Sequence, residues 1–250
     1  LLGQAPTNTA ADPNIEGIPT SEARGAYGGG GAGQGDVNDN SGIVRYVSIR
    51  YGGVSIGAGN EINGLTMAGV GKGTTVEYVE VYKNLDDCFE WFGGTVDTKH
   101  LVGAYCGDDT FDIDQGFTGN GQFWFAVQDP DQADRTGEHD GGDSDLGPNG
   151  EASEPFATPQ VYNATYIGSA DGGAGDVALK LRDNFAGSYF NSIFSGFPVE
   201  AIEIEDLDET DTGDSRARFE DGTLKVQNNL FHSFGAGTTR MFQALDHQFA

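Results

Sequence analysis

Short runs of alternating apolar and polar residues, rich in β-branched and aromatic side chains, recur along the chain with Gly, Asn and Asp between them. Ile43 to Tyr51 reads IVRYVSIRY and resembles VEYVEVY at Val76 to Tyr82, and His100 to Tyr105 follows in kind. Further runs occupy Gln122 to Gln128, Val161 to Ile167, Val177 to Leu181, Tyr189 to Phe194, Ala201 to Glu205 and Leu224 to Phe231. Period-two alternation bounded by turn residues predicts strands, and helical spacing is scarce. Strands this short cannot each bury an apolar face alone. Stacked at a spacing of about 4.8 Å, they share one continuous core.

A repeat of side-chain identity sharpens this. Asp86-Asp87-Cys88-Phe89-Glu90 returns as Asp108-Asp109-Thr110-Phe111-Asp112, a shift of 22 positions (86 to 108). Self-similarity at such a period is the mark of a solenoid. A β-sandwich is the rival, and it does not account for the repeat. The fold expected is all-β: a right-handed parallel β-helix, one domain over residues 1–250, with acidic and Gly-rich insertions. Those insertions are 26–36 (AYGGGGAGQGD, read as a flexible loop), the polar excursion 129–155, and the acidic loop 206–221.

Alternation also assigns faces. Phe89 and Trp91 point one way, Cys88, Glu90 and Phe92 the other; Phe111 and Ile113 fall over Phe89 and Trp91 one rung later. An aromatic ladder then fills the core while Glu90 and Asp112 stack outside, with Asp114 two residues on. Like charges on neighbouring strands are destabilising by up to ~1 kcal/mol each. A hard cation removes that cost, because calcium takes six to eight oxygen ligands. Glu90, Asp109, Asp112 and Asp114 are the candidate calcium ligands, against the plainer reading of a solvated acidic face. A second constellation, Arg135, Glu138, His139 and Asp140, offers a histidine among carboxylates: a general base, a metal ligand or a hydrogen-bonded loop staple.

Charge narrows the partners. Thirteen basic and 39 acidic residues give a formal charge of −26. Nucleic acid is excluded as a partner, since phosphates would meet a repulsive field. No apolar run approaches the ~18 residues of a membrane span. Cys88 and Cys106 fit one disulfide in an exported protein or two buried thiols equally.

The strings NSGIVRYVSIRYGG, GNEINGLTMAGVGKGTTVEYVEV and DDCFEWFGGTVDTKHLVGAYCGDDTFDIDQG, with LLGQAPTN at the start, resemble a family of exported bacterial β-helix proteins, lipoprotein-like in character. The likeness is closest over residues 1–170. It implies export, a pectate-lyase-like solenoid and further rungs upstream of Leu1, and carries no established activity or catalytic residue with it. The expected role is an extracellular or cell-surface structural or adhesive module, calcium-stabilised and self-assembling into filaments. Its partners would be other copies, cell-surface proteins or glycans, with Tyr162, Tyr166 and Tyr189 as half-buried strand residues or sugar-stacking surfaces. The alternative is a polysaccharide-active hydrolase or lyase with an acidic site near Asp109 and His139.

Overall fold

The computed structural model describes residues 1–57, 60–142, 153–170, 172–206, 214–235 and, for the backbone alone, 242–246. Its architecture is a parallel β-helix. One sheet stacks seven strands in chain order: Leu65–Ala68, Phe89–Phe92, Phe111–Asp114, Gly137–Asp140, Leu179–Arg182, Ile202–Asp206 and Phe242–Asp246. Every pairing in it is parallel. Leu2 bridges Ala68 and so opens the stack one rung earlier.

The second sheet has eleven strands and a corner running down it. In its first three rungs, Ile43–Arg50, Thr75–Tyr82 and Thr98–Ala104, the strand bends at Tyr46, Tyr78 and His100, which take left-handed φ values of 55°, 56° and 55°. In later rungs the two arms separate, as in Asn120–Gln122 and Phe125–Val127 or Gln160–Tyr162 and Thr165–Ile167. Their corner positions are Phe123, Asn163, Asn191 and Asn228, with φ between 53° and 59°. A non-glycine residue there costs on the order of 1–3 kcal/mol. Asn tolerates it by bonding its own backbone. The ringed residues offset it differently: Tyr46, Tyr78, His100 and Phe123 stack in sequence at 4.9, 4.4 and 4.9 Å.

Inside, the predicted aromatic ladder is present in the predicted register. Phe111 lies opposite Phe89 and Ile113 opposite Trp91. Phe89 stacks on Phe111 at 5.4 Å, and Trp124 reaches in from the second sheet to meet Phe111 at 4.7 Å and Trp91 at 5.0 Å. Each such pair adds about 0.5–1.5 kcal/mol beyond the area it buries. Cys88 does not face outward with Glu90: it is fully buried and bonded to Cys106, with 5.7 Å between the Cα atoms. Tyr166 and Tyr189 are core residues too, and only Tyr162 of the three tyrosines is half-buried.

The insertions are more structured than their composition suggests. The Gly-rich segment is stitched to the first rung, with Gly28 N–H donating to the Gly3 carbonyl, Gly33 to Thr7 and Asp36 to Gln4. Gly29 lies so close to Gly35 that a Cβ would fall 2.0 Å from its Cα, which is why side chains are absent there. The 129–155 excursion contains a rung strand, Gly137–Asp140, while its 143–152 stretch lies outside the described residues. Within 206–221, Asp214 caps a short helix, Ser215–Glu220, and 207–213 lie outside the described residues.

Candidate functional site

The outer face of the seven-stranded sheet carries the charge. Register sets Glu90, Asp112, Glu138 and Lys180 in one column, followed by Glu203. The turn before each strand brings further acids, Asp86-Asp87, Asp108-Asp109 and then Asp134-Arg135. These turns are stapled rung to rung. Asp87 Oδ1 accepts the Asp109 backbone N–H at 2.9 Å, and Asp109 Oδ1 accepts that of Arg135 at 2.5 Å.

Three trios of carboxylates place their oxygens within 4.8 Å of one another: Asp86 with Asp87 and Asp108, Asp87 with Glu90 and Asp112, and Asp108 with Asp109 and Asp134. The four ligands expected from sequence therefore do not form one site. Glu90 and Asp112 share a trio, Asp109 belongs to another, and Asp114 joins neither. Asp114 Oδ1 is engaged by the Gln115 backbone N–H at 2.5 Å. Asp86, Asp87, Asp108 and Asp134 are the additions, and the repeated Asp-Asp pair at 86–87 and 108–109 was the signal for the first three.

Electrostatics divides the face in two. On the earlier rungs, burial and then neighbouring carboxylates push Asp87, Glu90, Asp109 and Asp112 well above the ordinary carboxylate range. The same causes raise Asp86 to about 6. Among the described residues no ion pair reaches any of these five. Asn63 is packed against them, its amide donating to Glu90 and, at 2.9 Å, to Glu16 Oε1. Its Oδ1 is buried without a hydrogen-bond partner.

One rung later the compensation is complete. Glu138 Oε1 lies 3.0 Å from Arg135, 3.2 Å from Arg182 and 3.9 Å from Lys180. Burial pushes Glu138 up, but those three cations outweigh it and hold the carboxyl below its usual range. Asp109 hydrogen-bonds Glu138 as well. Arg182 grips Asp140 through two bonds of 2.5 and 2.9 Å.

The predicted constellation of Arg135, Glu138, His139 and Asp140 is thus broken by the pleat. Arg135, Glu138 and Asp140 join the outer face, whereas His139 is fully buried among core side chains, in register with Ile113 and Leu181. Its Nε2 lies 2.6 Å from the Tyr189 hydroxyl, its ring 5.2 Å from Phe185, and burial lowers its pKa to about 4. It is a neutral core residue and cannot serve as a base at Asp109.

Residues 1–248 match the model of the pectate-lyase-like β-helix domain, as the stacked parallel rungs require. The chain belongs to that family. No curated protein and no solved structure matches it. Among the described residues no helix is long and apolar enough to cross a membrane. Membership of the β-helix family accounts for the scaffold.

Proposed function

We propose that this β-helix is an extracellular structural or adhesive module whose carboxylate face takes up calcium. The observation that supports this best is the Asp87–Glu90–Asp112 trio, two buried carboxylates and one half-buried with oxygens mutually within 4.8 Å and, among the described residues, no protein cation paired to them. A dehydrated cluster of that kind is costly until a cation enters, and a site rich in flexible carboxylate oxygens suits calcium better than magnesium. Asn63 Oδ1 supplies a further neutral oxygen beside Glu90. The Cys88–Cys106 disulfide supports an oxidising compartment. Self-association is supported by the Ile43–Arg50 strand, which among the described residues pairs only with Thr75–Tyr82 and exposes Ile43 and Tyr46. Titration calorimetry of chelator-treated protein with calcium chloride is the test. Micromolar binding that is weakened at least tenfold in Glu90→Gln supports the reading, and no heat at millimolar calcium removes it.

Polysaccharide cleavage on the same face is the second reading. Burial pushes Asp109 well above the ordinary carboxylate range while three cations hold the hydrogen-bonded Glu138 below it, the arrangement of a proton donor beside an acceptor. Two hydrogen-bonded carboxyls are closer than the ~5–9.5 Å that glycoside hydrolysis uses. Release of new reducing or unsaturated ends from a glycan panel would establish this reading in place of the first.

A further inference from the structure

The outer face of the second sheet differs from the carboxylate face in kind. Its first arm presents two outward columns. One runs Arg45, Glu77, Lys99, Gln122, Tyr162, Phe190 and Gln227; the other includes Asn120, Gln160, Ser188 and Lys225. The carboxylates here are engaged locally. Glu77 pairs with Arg45 at 2.9 Å, and Asp97 Oδ1 accepts both the backbone N–H and the side-chain amide of Asn120, at 2.9 and 2.7 Å. On a chain of charge −26, this leaves a strip of amides, an aromatic pair and two lysines.

In the middle of the strip lies a cleft of about 260 Å³, lined by Asp97, Lys99, Asn120, Gln122 and Tyr162 over a floor of Thr98 and Gly121. Tyr162 walls one end. One face of its ring stacks on Phe190 at 4.9 Å, on the next rung, so the other looks back across the cleft towards Gln122. Its hydroxyl donates to Gln160 Oε1 at 3.1 Å, which fixes the ring. Gly121, between the outward Asn120 and Gln122, faces the core and leaves room there for Trp124, which a Cβ would strike at 2.4 Å.

We propose that this cleft binds a neutral sugar unit of a glycan chain. A pyranose has an apolar C–H face and a rim of hydroxyls. The free face of Tyr162 suits the first, as an amphipathic ring held at low entropic cost. Asn120 and Gln122 carry amides with donors and an acceptor each, and Lys99 adds a donor, which together suit the second. The volume is at the small end for a ligand site, so recognition falls on one sugar unit with the rest of the chain lying along the strip. The inference gives the adhesive part of the proposed function its ligand class and rests on that reading for its context, while the cleft itself shares no residue with the carboxylate face.

The test is titration of the full chain, in saturating calcium, with cello-, manno-, xylo- and maltohexaose and with an oligogalacturonate. One or more neutral hexaoses should bind with Kd on the order of 0.1–1 mM, typical of a shallow site. Tyr162→Ala should weaken that binding at least tenfold, and Gln122→Ala severalfold, with the melting midpoint and calcium affinity unchanged. Tyr162→Phe, which keeps the ring, should retain most of it. Silence from all four neutral hexaoses, binding of the oligogalacturonate alone, or binding indifferent to both alanine variants would overturn the inference. Normal calcium binding in the same samples would leave the carboxylate-face reading standing, so the two fail separately.

Discussion

Asp87 and Asp109 occupy the same place on successive rungs, and the first accepts the backbone N–H of the second at 2.9 Å. Each carboxylate therefore has a structural task as well as a charge. Substitution separates the two. Asp87→Asn keeps an acceptor oxygen and removes the charge, so without calcium at pH 8 it should stabilise the protein by about 1 kcal/mol, the scale of a like-charge contact. Asp87→Ala strands a buried N–H and should cost about 1–3 kcal/mol. Both should weaken calcium binding. Denaturant midpoints with and without chelator decide the matter.

The raised carboxyls make stability depend on pH in a defined direction. A folded state that holds protons more tightly than the unfolded chain loses stability as pH rises through the folded pKa. Asp86, raised to about 6 by burial and then by Asp108, and Glu205, raised to about 7 chiefly by burial, place that loss between the ordinary carboxylate pKa of about 4 and pH 7. Asp87, Glu90, Asp109 and Asp112 extend it upward. His139, lowered to about 4, acts oppositely but only below the ordinary histidine pKa. Chelated protein should thus melt at a lower temperature at pH 8 than at pH 6, and calcium should flatten the difference while releasing protons on binding. Calorimetry in buffers of different ionisation enthalpy measures that release.

The ladder of Phe89, Glu90, Phe111 and Asp112 was legible in the sequence because both copies keep the same residue classes at the same spacing. The next rung was not. Gly137-Glu138-His139-Asp140 has no apolar residue to mark its inward face, so the strand reads as part of an acidic loop. Gly137 is inward because there is no room for more: a Cβ would lie 2.8 Å from both His139 Nε2 and Leu179 Cδ2. The missing side chain makes space for the imidazole. Nor did the repeat reveal that Arg135 replaces the second Asp of the turn, since the alignment of Asp87, Asp109 and Arg135 appears only when the hydrogen bonds join them.

The placement of His139 yields its own prediction. Removing the ring in His139→Ala empties the space beside Phe185 and leaves the Tyr189 hydroxyl with the Tyr166 hydroxyl alone, at 3.3 Å. The cost should be about 3–5 kcal/mol, as for other large-to-small core changes. Calcium affinity should shift by less than twofold, because the side chain lies on the other side of the sheet. A large loss of affinity at unchanged stability would contradict the inward position.

The disulfide closes a separation of 18 residues between Cys88 and Cys106, beneath the turn that carries Asp87. Chain entropy alone gives such a link about 3 kcal/mol. Reduction, or the Cys88→Ala/Cys106→Ala pair, should lower the denaturant midpoint accordingly. Refolding under thiol-free conditions should recover the reduced protein's loss but not that of the double variant.

Arg182 separates structural from cation-binding carboxylates. It neutralises Asp140 through two bonds and lies 3.2 Å from Glu138, both of them largely buried. Arg182→Met keeps much of the packing, leaves Asp140 without its cation and leaves Glu138 only Arg135 and Lys180, so the loss at pH 8 should be about 3–5 kcal/mol. The loss should shrink at pH 5, where Asp140, lifted by burial to about 6 even with Arg182 beside it, takes up a proton. Adding Asp140→Asn should restore part of the stability at pH 8 by removing one orphaned charge. Calcium should rescue the single variant only if the cation moves up to Glu138. A rescue would therefore show that the protein's own arginines do, on this rung, what the metal does on the rungs before it.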